Sequence, residues 1–243
     1  MKIAIIGAGS VGTNLHHAFE LKGIKTELVH ARPLTADPST VRLLPQADCY
    51  IYTVADHVLA EVVALVNAPK ALHLHTSGSM PMSVFKEDKP HAGVLYFFQS
   101  FNRTVLIDDW SNIPCIIEGK NIDDIAAIYS LAQSLTSHIY EAGQRDRERL
   151  HIAGIFANNY TNLMYRIAAD VLKDTQLPFE VLLPLIDRTA AKVHEIPPKD
   201  AQTGPAQRGD EAVINHHIEL LKTTPYPELY QELAALIEKG RNH

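Results

Sequence analysis

The sequence predicts an α/β fold, a doubly wound and mostly parallel sheet covered by helices, followed by an all-α region. Short β-branched or apolar runs alternate with helical stretches through the first half. The first of those runs ends in a glycine-rich turn that opens a helix. From Gln144 onward the β-like runs stop and a helical period of about 3.6 takes over.

In chain order, strands are expected at 2–7, 25–31, 48–54, 71–76, 93–97, 114–118 and 138–141. Helices are expected at 11–22, 58–66 and 122–135 between them. Pro178, Pro184 and Pro197-Pro198 punctuate further helices in the second half. Two domains follow from this change of pattern: 1–143, a dinucleotide-binding unit, and 144–243, a helical unit.

Composition narrows the classes of function. The 243 residues are 46% hydrophobic and 21% charged, enough to bury a core. A formal net charge of -6 and no run of like charges give no basic footprint, so nucleic acid is not an expected partner. Polar residues break every apolar stretch well short of the ~20 residues a membrane helix needs. The start MKIAIIGAGS has one Lys and runs straight into a glycine loop, so a soluble cytoplasmic protein is expected. Cys49 and Cys115 each sit in a β-like apolar run, outside any CxxC pair, and read as buried reduced thiols. The 13 histidines include His16-His17, His73/His75 and His216-His217, none in a metal-ligand spacing, so no metal is expected.

The segment IAIIGAGSVGTNL places a GxGxxG pattern between a strand and a helix. In a Rossmann unit Gly7 makes the tight turn, Gly9 lets backbone approach a pyrophosphate, and Gly12 lets the helix pack on the strand. Ser10 and Val11 then offer unpaired N–H groups and a positive dipole end to the phosphates. The alternative, a glycine turn that merely closes a strand, does not require all three positions.

An NAD site has an acid at the end of the second strand, about 20 residues on. Here that strand ends Val29-His30-Ala31-Arg32, and Glu27 lies too early. The Arg32 guanidinium suits a ribose 2′-phosphate, with His30 as a further phosphate or adenine contact, so NADP is the expected cofactor. Read otherwise, Arg32 is one more solvated loop charge.

Ligands of open α/β sheets lie beyond the carboxyl ends of the strands. Three such ends carry polar groups: Thr53-Val54-Ala55-Asp56 beside the cofactor, Thr76-Ser77-Gly78-Ser79 near the nicotinamide, and Phe98-Gln99-Ser100-Phe101 for substrate. An ordinary polar turn accounts for each equally well. In the helical half, at about 100° per residue, His151, Asn158 and Asn162 share a face, with Asn159 some 80° round. Buried polar groups must bond something, so this face either lines a substrate pocket or packs on a neighbouring domain or subunit. An imidazole there can hand a proton to a carbonyl oxygen. The stretch Gln202–Asp210 reads as a structural loop, with Asp210 capping the next helix and Arg208 a candidate for a substrate anion.

On GAGSVGTNL, VHAR, HTSGS, FFQSF, HIAGIFANNY and TGPAQRGD, in that order, the chain resembles the Rossmann-like oxidoreductase-related proteins that carry a C-terminal helical domain of unknown function. Those proteins are distantly similar to pyrroline-5-carboxylate reductase and the deazaflavin-dependent NADP oxidoreductases. The resemblance implies an NADP-type N-terminal domain, a helical dimerisation domain similar to that of 6-phosphogluconate dehydrogenase, and a cleft between them. Matching positions are Gly7, Gly9, Gly12, Ser77, Gly78, Gln99, His151, Asn159, Gly204, Pro205, Arg208, Gly209, Asp210 and His217. Where that family often has His-Pro, this chain has Tyr96-Phe97.

The resulting expectation is a homodimeric NADP-dependent oxidoreductase that transfers a hydride to or from a small carbonyl, imine or hydroxy compound. Arg32 selects NADP, Ser77 and Asn159 orient the reacting groups, His151 handles the proton, and Gln99 and Arg208 contact substrate. The competing expectation is a non-catalytic NADP-binding sensor or scaffold.

Overall fold

The apolar runs of the first half all form strands. The computed structural model describes residues 1–37 and 44–241. In the described residues, β1 (Ile3–Ile6), β2 (Thr26–Val29), β3 (Cys49–Tyr52), β4 (Leu72–His75), β5 (Ala92–Phe97), β6 (Cys115–Gly119) and β7 (Ile139–Glu141) make one seven-stranded sheet of order β2-β1-β3-β4-β5-β6-β7. All neighbours pair in parallel except β5 and β6, which run antiparallel with Leu95 opposite Ile117.

Between the strands lie α1 (Ser10–Leu21), α2 (Ala31–Ala36), α3 (Asp56–Leu65) and α4 (Ile122–Gln133). The short α2 is a helix that the sequence pattern did not announce. Both faces of the sheet are covered, which is why the strands read as unbroken apolar runs instead of alternating ones. The period of two still sorts their side chains. Ile3, Ile5, Cys49 and Ile51 join the core beneath α1 and α4, while Ala4, Ile6, Tyr50 and Tyr52 join that beneath α3. Cys49 and Cys115 are buried free thiols, and burial pushes the Cys49 thiol up to about 12.

By internal contacts the chain divides into compact units Met1–Tyr160 and Thr161–His243. The last strand ends close to Gly143, yet α5 (Gln144–Gly154) stays with the sheet, because its Arg147 is buried and bonded to residues of that unit. Helix α5 runs on into a π-helical segment, Ile155–Tyr160. The second unit holds α6 (Thr161–Leu172), α7 (Leu183–Glu195), α8 (Pro198–Ala201), α9 (Pro205–Arg208), α10 (Glu211–Leu221) and α11 (Pro227–Arg241). Its own core is small: Ala206, Ile214 and Ala234 are buried, with Ile218, Tyr230 and Ile237 packed against them. Asp210 caps α10 by accepting from the Val213 N–H at 3.3 Å. Gly209 closes α9 in the left-handed region, φ +73°.

Candidate active site

The order of the sheet changes direction at β1: the chain steps out to β2, then returns to place β3 on the other side of β1. The crevice beyond that switch point is where such sheets take ligands, and the glycine turn stands there. Gly7 has φ +123°, and its N–H donates to Val29 O at 2.8 Å. Its carbonyl accepts from the Thr53 hydroxyl at 2.6 Å, so the ends of β1, β2 and β3 are tied at one residue. A Cβ at Gly12 would lie 1.8 Å from Gly7 O, which shows how closely α1 packs on the turn. Gly9 differs: a Cβ there meets nothing within 4 Å. Gly9 also precedes α1 with no side-chain cap, leaving the first backbone N–H groups of the helix free for an anion.

A cavity of about 670 Å³ opens at this turn. Of the residues expected to contact a dinucleotide, Gly7, Gly9, His30, Arg32, Val54 and Ala55 line it. Ser10, Val11, Gly12, Asp56 and Ser77 do not; Gly12 works as packing and Asp56 opens α3. Thr53, His57 and Arg103 also line the cavity, and the sequence pattern pointed to neither His57 nor Arg103. Among the described residues no carboxylate lines it.

A second, smaller cavity of about 200 Å³ lies at the end of β5. Gln99, His151 and Asn159, from the expected set, line it together with Tyr96, Phe98 and Asn158. The face read at a uniform helical period put Asn162 beside His151 and turned Asn159 away. The π-helical segment 155–160 changes that rotation, and it is Asn158 and Asn159 that line the cavity. Gly154 lets α5 approach: a Cβ there would sit 2.6 Å from the Phe98 ring.

The Tyr96 hydroxyl and His151 Nδ1 are 3.0 Å apart. Burial pushes the Tyr96 phenol up to about 12, with Arg147 pulling the other way, so at neutral pH it keeps its proton. With Nδ1 engaged by the Tyr96 hydroxyl, Nε2 is the ring nitrogen left for another partner. The pair rests on Gly78, where a Cβ would come within 2.8 Å of His151 Nδ1 and 2.9 Å of the Tyr96 ring. Tyr96 occupies the position of the departure noted in the sequence, and there it becomes the partner of the candidate proton donor.

Ser77 lines neither cavity. Its Oγ accepts from the N–H groups of Ser79 and Met80, each at 3.0 Å, and so holds its own turn. That turn is fastened from behind by Arg147, which donates to Ser77 O at 3.3 Å, Met80 O at 2.6 Å and Glu118 at 2.6 Å. His75 behind it accepts the Ser77 N–H at Nδ1. Burial, with Arg147 adding to it, lowers the His75 ring to about 3 and keeps it neutral. Arg208 is exposed at the end of α9 in the second unit, and His217 there pairs with Tyr230 at 2.7 Å. Among the described residues, no group of three or more His, Cys, Asp or Glu can hold a metal ion. None of their helices is long and apolar enough to cross a membrane.

Residues 113–237 match the model of a family described as a domain of unknown function, DUF2520. A solved structure from Bacteroides fragilis, provisionally assigned as an NADP oxidoreductase, is 37% identical, covers 98% of each chain and superposes with a TM-score of 0.88. Pyrroline carboxylate reductase of Plasmodium falciparum, solved with NADP bound, is 16% identical over 100% of this chain and 97% of its own, TM-score 0.60. A reductive aminase of Aspergillus terreus, in complex with NADPH and ethyl levulinate, is 14% identical over 99% and 93%, TM-score 0.69. At such identities these last two speak for the fold alone. No curated protein matches the chain in sequence.

Proposed function

The chain belongs to the DUF2520 family, with the Bacteroides fragilis protein as a relative along its whole length, and from that premise we propose that it is an NADP-dependent oxidoreductase acting on a small carbonyl, imine or hydroxy compound. The observation that carries the proposal is the pairing of two cavities on one sheet edge. One is built around an uncapped helix N-terminus and Arg32 with no lining carboxylate, the other around a hydrogen-bonded Tyr96–His151 pair. They stand at β3 and β5, with β4 between, so two interstrand spacings, roughly 10 Å, separate them. The N-terminus of α1 and Arg32 would hold the phosphates of a dinucleotide, and its nicotinamide would supply the hydride toward the second cavity.

When bound, NADPH supplies a hydride to the electrophilic carbon of the substrate. The protein then has to deliver one proton to the oxygen or nitrogen that gains the electron pair. His151 is placed to do so through Nε2 as an imidazolium, which becomes the neutral ring on giving up that proton, while Tyr96 at Nδ1 fixes the orientation of the ring. Asn159 and Gln99 provide amide contacts, and the cavity of about 200 Å³ limits the substrate to a small molecule. Ser77 contributes through the turn that it holds. Arg32, exposed and with a guanidinium unpaired among the described residues, meets the 2′-phosphate. Arg208 is assigned to a substrate anion, and the second unit to holding two copies together as a homodimer.

NADPH oxidation across a panel of keto acids, aldehydes and imines tests this for the wild type and His151→Ala. The expected result is turnover on at least one compound, with kcat reduced about 100-fold or more in His151→Ala and the NADPH affinity retained. Tight NADPH binding with no turnover on any compound would instead establish a sensor or scaffold.

A further inference from the structure

Arg103 stands outside every motif in the sequence, yet it lines the same cavity as Gly7, Gly9 and Arg32. Its loop is held in place from an unexpected quarter. Asn14, fully buried in α1 one turn after the glycine loop, donates through Nδ2 to Ser10 O at 2.9 Å and to Asn102 O at 2.7 Å. Its Oδ1 accepts from the Ile107 N–H at 3.0 Å. Both amide hydrogens and the amide oxygen are thereby used, and the loop 102–107 is fastened to the first turns of α1. The Asn102 side chain closes the loop on itself, accepting from the Thr104 N–H and hydroxyl, each at 2.8 Å. Below, Trp110 donates to Ile107 O at 2.9 Å and stacks on Phe101 with ring centroids 5.1 Å apart. Arg103 thus has a rigid backbone on both sides. Its side chain is exposed, and among the described residues it makes no hydrogen bond or ion pair.

A cation carried on a fastened loop beside the phosphate-binding end of α1, with no counter-charge among the described residues, suits an anion held at that end. We infer that Arg103, on the loop fastened to the first turns of α1, binds the pyrophosphate of the dinucleotide, while Arg32, at the end of β2, reads the 2′-phosphate. This rests on the dinucleotide reading of the cavity. It divides the work between the two arginines: Arg103 contributes to binding of either NADPH or NADH, and Arg32 only to that of NADPH. Asn14 is a positioning residue, acting through the loop.

The test is calorimetric titration of NADPH and NADH into wild-type protein, Arg103→Ala and Arg32→Ala. Arg103→Ala is expected to weaken both ligands by a similar factor, roughly 10-fold to 100-fold for a charge-assisted bond. Its thermal melting point stays at the wild-type value, because the side chain is exposed. The salt dependence of NADH binding becomes shallower than in the wild type, as removal of an ionic contact requires. Arg32→Ala is expected to weaken NADPH alone. The inference is overturned if Arg103→Ala binds both ligands as tightly as the wild type, or if it loses affinity for NADPH only. Wild-type protein that binds neither ligand would overturn the dinucleotide reading itself, a result distinguishable from the other two.

Discussion

Burial on both faces of the sheet leaves His75 with Nδ1 accepting the Ser77 N–H and with Nε2 unpartnered among the described residues. A neutral ring is the only form this environment accommodates. The ring titrates at about 3 when folded, against an ordinary 6.5, so between those values the unfolded chain holds more protons than the folded one. Stability therefore rises with pH through that window, is fully present above it, and is eroded as pH falls from 6.5 toward 3. His73, also lowered by burial, adds the same sign. The slope has a ceiling of about 1.4 kcal/mol per pH unit for each ring. Urea melts across the window should show this loss. His75→Asn, which keeps an acceptor for the Ser77 N–H but cannot titrate, should lose less stability than the wild type over the same range. Equal losses in the two proteins would refute the assignment. None of this was legible in the sequence, where His73 and His75 were weighed only as metal ligands. Tyr96 and His151 are 55 residues apart, and Asn14 and Asn102 are 88 apart, so no local pattern joins them. No motif in the sequence singles out Arg147, which is fully buried beneath the Ser77 turn.

At the scale of elements, the strand–turn–helix at the N-terminus was the most legible part, because each glycine answers a separate geometric demand. The structure separates those demands. Gly12 exists for packing: the Cβ of an alanine would overlap Gly7 O at 1.8 Å and the Thr53 hydroxyl at 2.5 Å, both held by the β3 bond. Gly12→Ala is therefore expected to destabilise the protein by about 2 kcal/mol or more, as overpacking does, and to lower dinucleotide affinity with it. Gly9 has φ −84°, ordinary for alanine, and open space around its Cβ position. Gly9→Ala should melt at the wild-type temperature and still bind NADPH more weakly, because the added methyl projects where the phosphates approach. Thermal melts and titrations of the two variants check this together; an equal drop in melting point for both would contradict it. Periodicity worked less well at the end of α5. A uniform turn angle carried past Gly154 misplaces Asn159, and nothing in IFANNY announces a π-helical segment.

For the molecule as a whole, the alternation of apolar and helical runs was enough to place every strand of the sheet, and the loss of β-like runs marked where the helices take over. What the pattern did not contain was the antiparallel step at β5 and β6, which the composition of a strand does not reveal. The second half also poses a problem of scale. Helix α7 has no buried residue, and its Leu183, Leu185 and Val193 are exposed by 44%, 64% and 48%. An isolated helix of 13 residues is marginal in water, so such an apolar face needs a covering surface. The unit's own buried core, three residues, is too small to supply it. A second copy of the chain, as the proposed homodimer requires, would cover the face isologously. Sedimentation equilibrium should then give a mass near twice that of the 27.0 kDa chain. Leu185→Glu, which sets a charge in that face, is expected to shift the mass toward the monomer and to lower the melting temperature. The sheet unit, with its own core on both faces, should keep its NADPH site, so NADPH binding by Leu185→Glu separates loss of assembly from loss of the fold. A wild-type chain that sediments as a monomer would leave α7 without its cover and would end the dimer proposal.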